Sequence, residues 1–169
     1  MSFRSNQFAR DYAACLALSD ARKAEDARVM VEGLDAVDGA VRFVETLPLD
    51  FPRAIASSST THWIRTHLAH LGLSDAFGDH IYSGREHVTR GKPAPDIYLH
   101  AAEALGIDIK RAVILEDSLV GATGAVASGA FVIGLAAGRH CNDGHAALLL
   151  DKGVHAVAHS FEDVVALLA

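Results

Sequence analysis

Two adjacent carboxylates end the run Ala112-Val113-Ile114-Leu115-Glu116-Asp117-Ser118-Leu119-Val120-Gly121. Side by side they repel, and each raises the other's pKa unless a cation lies between them. Hard oxygen ligands of this kind suit Mg²⁺, which keeps several waters and is shared with substrate phosphates. The apolar residues before them read as a strand buried on both faces of a parallel sheet. The carboxylates then stand at its C-terminal tip, the edge where open α/β sheets bind ligands. The competing reading of this stretch alone is a solvated acidic loop. Two more polar clusters hold equivalent positions. Ser57-Ser58-Ser59 follows the short apolar run Ala54-Ile55-Ala56, and Lys92 stands just before a helix start at Pro95-Asp96. Serine hydroxyls and free N–H groups at a helix start can hold phosphate oxygens. A lysine ammonium is a point charge for a phosphoryl group, and carboxylates can hold the metal that neutralises the remaining charge. Singly, a serine run is more often a helix cap and a lone lysine is more often solvated. Each at the end of its own βα step, they describe a phosphate site.

The elements that must carry these groups alternate between two periods. Ala54–Ala56 is a short strand, and Thr60 or Thr61 caps a helix bearing Ile64, Leu68 and Leu71 that Gly72 stops. His80–Ser83 is a second strand. A polar loop with Arg85, His87 and Arg90 follows, with Arg90 and His87 read as solvated in preference to site-lining. Pro95 suits the first position of a helix and Asp96 its first turn, and that helix runs to Leu105. The 112–115 strand comes next, then a helix from about Gly121 to Ser128 stopped by Gly129. Phe131–Leu135 is a strand, 146–150 a short helix and 154–157 a late strand. Ser160-Phe161-Glu162-Asp163 resembles a capping box for the last helix. Upstream, residues 7–31 carry an apolar stripe of Phe8, Tyr12, Cys15 and Leu16 at helical spacing. A further helix starts near Asp38-Gly39, with Val41, Val44 and Leu47 on one face, and ends at Pro48. This rhythm means βαβ units with right-handed crossovers: a doubly wound parallel α/β domain preceded by a helical segment.

Composition narrows the function classes. The chain has 169 residues, half of them hydrophobic, which fits one domain with a real core. No apolar run approaches the ~20 residues of a membrane span, and the N-terminus has no signal-like apolar stretch. A net charge of −6 with interspersed signs argues against a nucleic-acid partner. The distant cysteines Cys15 and Cys141 read as reduced thiols of a cytoplasmic protein. His67 with His70, and His140 with Cys141 and His145, lack the remaining ligands of a metal site.

Three motifs together carry a family resemblance. Ala56-Ser57-Ser58-Ser59, Gly91-Lys92-Pro93-Ala94-Pro95-Asp96 and Leu115-Glu116-Asp117-Ser118-Leu119-Val120-Gly121 resemble the second, third and fourth motifs of the haloacid dehalogenase superfamily of hydrolases. The nearer likeness is to the branch with β-phosphoglucomutase, phosphoglycolate phosphatase and sugar-phosphate phosphatases. The resemblance implies a Rossmann-like core over residues 38–169, and a remnant of a helical cap and linker over 1–37. It also implies a phosphatase acting on a small phosphorylated metabolite such as a sugar phosphate, or alternatively a phosphomutase. By the same likeness Ser57, Ser58 and Lys92 bind the phosphoryl group, Lys92 being the catalytic residue carried over, and Glu116 and Asp117 hold Mg²⁺.

One part of the family pattern is not found. Its first motif, Asp-x-Asp-Gly-Thr/Val, supplies the carboxylate that attacks phosphorus. The nearest string here, Asp35-Ala36-Val37-Asp38-Gly39, has one residue too many between its acids. In the family the first strand lies between the strands that end here at Ser57 and Glu116. Its loss would leave two unpaired strand edges around a slot about 10 Å wide. The expectations are a truncated chain, a replacement strand or self-association, and a chain that as written turns over little or no substrate. A non-catalytic domain that binds phosphate or a protein is the reading from a different class.

Overall fold

Strand residues alternate faces, so neighbours in sequence must find cores on opposite sides of a sheet. The computed structural model describes Arg28, residues 35–139 and residues 141–169, and the helical expectation for residues 7–31 falls almost wholly outside that range. From Asp35 the described elements are α1 (Ala40–Thr46), β1 (Ile55–Ser57), α2 (Thr61–His70), β2 (Ile81–Ser83) and α3 (Asp96–Ala104). A 3-10 turn at Ile109–Arg111 leads to β3 (Val113–Glu116), α4 (Leu119–Ser128), β4 (Phe131–Leu135), α5 (His145–Asp151), β5 (Ala156–Ala158) and α6 (Phe161–Leu168). All ladders are parallel. β1 pairs with β2, and β3-β4-β5 form a second sheet. Among the described residues no ladder joins β1 to β3.

The alternation appears in the cores. Tyr82 and Val132 pack with Ile97, Tyr98, Ala101, Ala122, Ala125 and Leu149 from α3, α4 and α5, joined by Ala56 and Ile114. Their strand neighbours turn the other way. Ile81 and Ile55 meet Ile64 and Leu68 of α2, and Ile133, Leu135 and Leu115 meet Val164 of α6. Helices thus cover both faces, the doubly wound arrangement read from the sequence. Helix α1 contributes Val41 and Val44 to the core of the β1-β2 sheet and Phe43 to that of the β3-β4-β5 sheet, with the Phe43 and Phe161 rings 5.3 Å apart.

Most local signals hold. Thr60 caps α2 through the Trp63 amide, Ser160 caps α6 through the Asp163 amide, and Gly72 and Gly129 have positive φ just beyond their helices. Several boundaries shift by a residue, the first strand to Ile55–Ser57 among them, and three others matter here. The late strand begins at Ala156 and not at 154, because Val154 turns into the core ahead of the ladder. The third strand extends to Glu116. Helix α4 starts at Leu119, not Gly121, because the Ser118 side chain accepts from the Gly121 amide and caps it earlier. Among the described residues no helix is long and apolar enough to cross a membrane.

Candidate phosphate site

Glu116 closes β3 and is only 7 % exposed. A buried carboxylate must be paired or neutral, and this one is fully engaged. Its Oε2 accepts from Lys92 Nζ at 2.7 Å and from the Tyr98 hydroxyl at 2.7 Å. Its Oε1 accepts from the Ser118 amide at 3.0 Å and the Ser118 hydroxyl at 2.6 Å. Burial alone pushes the Glu116 carboxyl up, but the Lys92 charge and the bonds from Lys92, Ser118 and Tyr98 outweigh it and hold it below the ordinary value of 4.5. Burial and the neighbouring Glu116 charge push the Tyr98 phenol well above its usual range, so it stays a donor.

Two close approaches seat this cluster. A Cβ on Gly121 would stand 2.1 Å from Glu116 Cδ, so the carboxylate occupies the space a side chain would take. A Cβ on Gly124 would stand 2.8 Å from the Ala94 oxygen and 2.9 Å from the Pro93 oxygen. The first turns of α4 therefore lie against the Lys92-Pro93-Ala94 segment, whose Lys92–Pro93 bond is cis. The glycine that the sequence placed at the helix start serves to admit Glu116.

The serine loop joins the same edge through backbone. Ser57 and Ser83 end β1 and β2 in register. Gly84 N–H donates to the Ser57 oxygen at 2.7 Å, and the Gly84 oxygen lies 3.3 Å from where a Cβ on Gly91 would be. Gly91 precedes Lys92. The contacts therefore run from Ser57 through Gly84 and Gly91 to Lys92 and Glu116, at the C-terminal ends of β1, β2 and β3. Ser57 Oγ accepts from the Ser59 amide at 3.1 Å, which leaves its own proton to donate. Lys92 uses one of its ammonium protons on Glu116, and Ser58 is exposed. Asp117 is half-buried beside Glu116, and its backbone oxygen accepts from His145 Nε2 at 2.7 Å.

The loop after β2 ties the serine loop down. Arg85 Nε donates to the Ser58 oxygen at 3.0 Å, and the Glu86 carboxylate accepts from both the amide and the hydroxyl of Thr61. Sequence reasoning missed Arg85, Glu86, Ser118 and Tyr98. Arg90 does not serve the site: its guanidinium forks onto Asp96 at 3.0 and 2.9 Å. His87 Nδ1 accepts from the Ser83 amide.

The fit of Mg²⁺ can be tested on these bonds. A carboxylate offers about four lone-pair positions, and four donors already fill those of Glu116, so it does not fit as a direct ligand. Mg²⁺ needs only one or two carboxylates beside waters and phosphate oxygens, and the neighbouring carboxylate in the sequence is that of Asp117. Among the described residues no group of three or more His, Cys, Asp or Glu side chains is placed to hold a metal.

Known proteins carry the same frame. A hexitol phosphatase of Escherichia coli is 33% identical over 103 residues, 60% of this chain and 46% of its own length. A 6-phosphogluconate phosphatase of the same organism is 26% identical over 118 residues, 70% of this chain and 52% of its own length. A β-phosphoglucomutase of Mycobacterium bovis is 38% identical over 109 residues, 62% of this chain and 40% of its own. The chain thus spans about half the length of these relatives. Among solved structures, a haloacid dehalogenase-like protein of unknown function from Agrobacterium tumefaciens superposes with TM-score 0.82 at 32% identity, covering 99% of this chain and 77% of that one. A haloacid dehalogenase family hydrolase from Deinococcus radiodurans, determined with phosphate and sodium bound, gives 0.75 at 35%, covering 85% and 62%. The sequence model of the haloacid dehalogenase-like hydrolases matches residues 5–129, a span that takes in the serine, lysine and double-acid tips. With its parallel strands aiming those tips to one edge, the chain belongs to the haloacid dehalogenase-like hydrolases.

Proposed function

We propose that this chain holds the phosphoryl group of a small phosphorylated metabolite, such as a sugar phosphate, and belongs to a Mg²⁺-dependent phosphatase. The observation that carries the reading is the contact path linking Ser57, Lys92 and the buried Glu116 at one sheet edge. Ser57 Oγ–H donates to a phosphoryl oxygen, and the two unspent Lys92 protons offset its charge. Asp117 is the residue to hold the metal, which when bound would polarise the phosphoryl oxygens. None of these residues is assigned the attack on phosphorus that the family's first motif supplies, so positioning without attack leaves little turnover for this chain. The phosphatase and mutase relatives support the substrate class.

The mutase reading is kept because of the 38% identity to a β-phosphoglucomutase. Incubation with β-glucose 1-phosphate and Mg²⁺ separates the readings. With the family's first motif supplied upstream, release of inorganic phosphate marks a phosphatase, glucose 6-phosphate a mutase, and binding without product a non-catalytic domain. The binding step itself is tested by calorimetry with inorganic phosphate: Lys92→Ala should weaken it by tenfold or more, about the loss of a charge-assisted bond. Equal affinity in wild type and Lys92→Ala would overturn the site.

A further inference from the structure

Tyr98 is 4 % exposed, yet its polar end is not idle. Its hydroxyl lies 2.7 Å from Glu116 Oε2 and 3.1 Å from the Gly121 oxygen, with a single proton to give. The face of its ring lies below the Lys92 ammonium, 5.0 Å from Nζ to the ring centroid. Lys92 and Glu116 are themselves 10 % and 7 % exposed at the side chain. A buried ammonium held this way is fixed on two sides, by the carboxylate and by the electron-rich ring. Without the phenol, Glu116 Oε2 would keep Lys92 as its one hydrogen-bond donor.

We propose that Tyr98 is a positioning residue for the phosphoryl-binding lysine, and that it commits Glu116 to Lys92 rather than to a divalent cation. The inference rests on the reading that Lys92 binds phosphate. Its logic is one of filled valence. Ser118 takes both positions on Glu116 Oε1, and Lys92 and Tyr98 take both on Oε2. A metal could reach this carboxylate only by evicting a donor that is itself buried or held in a helix cap. Gly121 makes the same point from the other side. The carboxylate is seated over the first turn of α4 in a space no larger side chain at 121 would leave.

The experiment uses the full chain with two probes, inorganic phosphate and Mn²⁺, each titrated alone. In Tyr98→Phe the ring stays and the hydroxyl goes. Phosphate affinity should fall about tenfold, the scale of one bond to a charged group, while Mn²⁺ affinity stays within about twofold. Glu116→Gln should likewise spare Mn²⁺ binding, and Asp117→Asn should remove it. A Tyr98→Phe chain that melts lower but binds phosphate as wild type does would show a purely structural tyrosine and overturn the proposal. So would a Glu116→Gln chain that loses Mn²⁺. Should a variant fail to fold, the wild type still decides. Its Lys92 Hε protons should be shifted upfield by the Tyr98 ring in an NMR spectrum, and their random-coil position would refute the contact. Failure of the underlying reading looks different: wild type and Lys92→Ala would then bind phosphate equally or not at all.

Discussion

At the scale of single residues, the site depends on where atoms are missing as much as on where they are present. Glycine at 121 leaves the volume that the Glu116 carboxylate fills. Gly121→Ala must therefore expel that carboxylate and break a buried ion pair. Overpacking and an unpaired buried charge together cost about 3 kcal/mol or more, read as a lower urea midpoint with unchanged slope. Ser118 carries two roles on one hydroxyl: it caps α4 at the Gly121 amide at 3.0 Å and donates to Glu116 Oε1. Ser118→Ala should cost about 2 kcal/mol, more than a lone helix cap. A loss no larger than that of Thr60→Ala, a cap without a second bond, would show that the Glu116 contact adds nothing.

At the scale of elements, the sequence made the strand tips legible because apolar runs ending in polar residues have few other meanings in a βα rhythm. Ser57, Lys92 and Glu116 could be placed on one edge on that ground. What each acid does was not legible. Asp117 and Glu116 are neighbours in sequence, but Glu116 ends β3 and Asp117 lies beyond it, and only three-dimensional contacts show Lys92, Tyr98 and Ser118 on Glu116. The clasp between the loop after β2 and the start of α2 was equally hidden, since Glu86 and Thr61 are 25 residues apart. That clasp predicts a pH effect. The bonds from Thr61 hold the Glu86 carboxyl below its ordinary value of 4.5. A depressed carboxylate stabilises the fold above its unfolded pKa, and that contribution is lost as pH falls through the lower folded value. The Thr61 amide resonance should therefore move with an inflection below pH 4.5, and Glu86→Gln should flatten it. An inflection that survives in Glu86→Gln would assign it to another group.

At the scale of the whole molecule, the division of the sheet stands out against its burial. β2 is buried along its length and β4 from its second residue, whereas β1 and β3 are mostly half-buried, with Val113 44 % exposed. Backbone direction shows which groups lie on the outer edges. Ile55 donates to the His80 oxygen and the Ala112 oxygen accepts from Phe131, so those residues face their ladders. One residue along, the N–H groups of Ala56 and Val113 point away, and Leu115 follows Val113 by the same period. Among the described residues these parallel edges have no strand partner, and edges of this kind attract another strand. In dilute solution the amides of Ala56, Val113 and Leu115 should exchange with solvent much faster than those of Ile55 and Phe131. As concentration rises, light scattering should show mass growing beyond the monomer, and the same three amides should become protected. Protection at every dilution with a constant monomer mass would mean that a segment of the same chain already lies along those edges, and would remove the drive to associate.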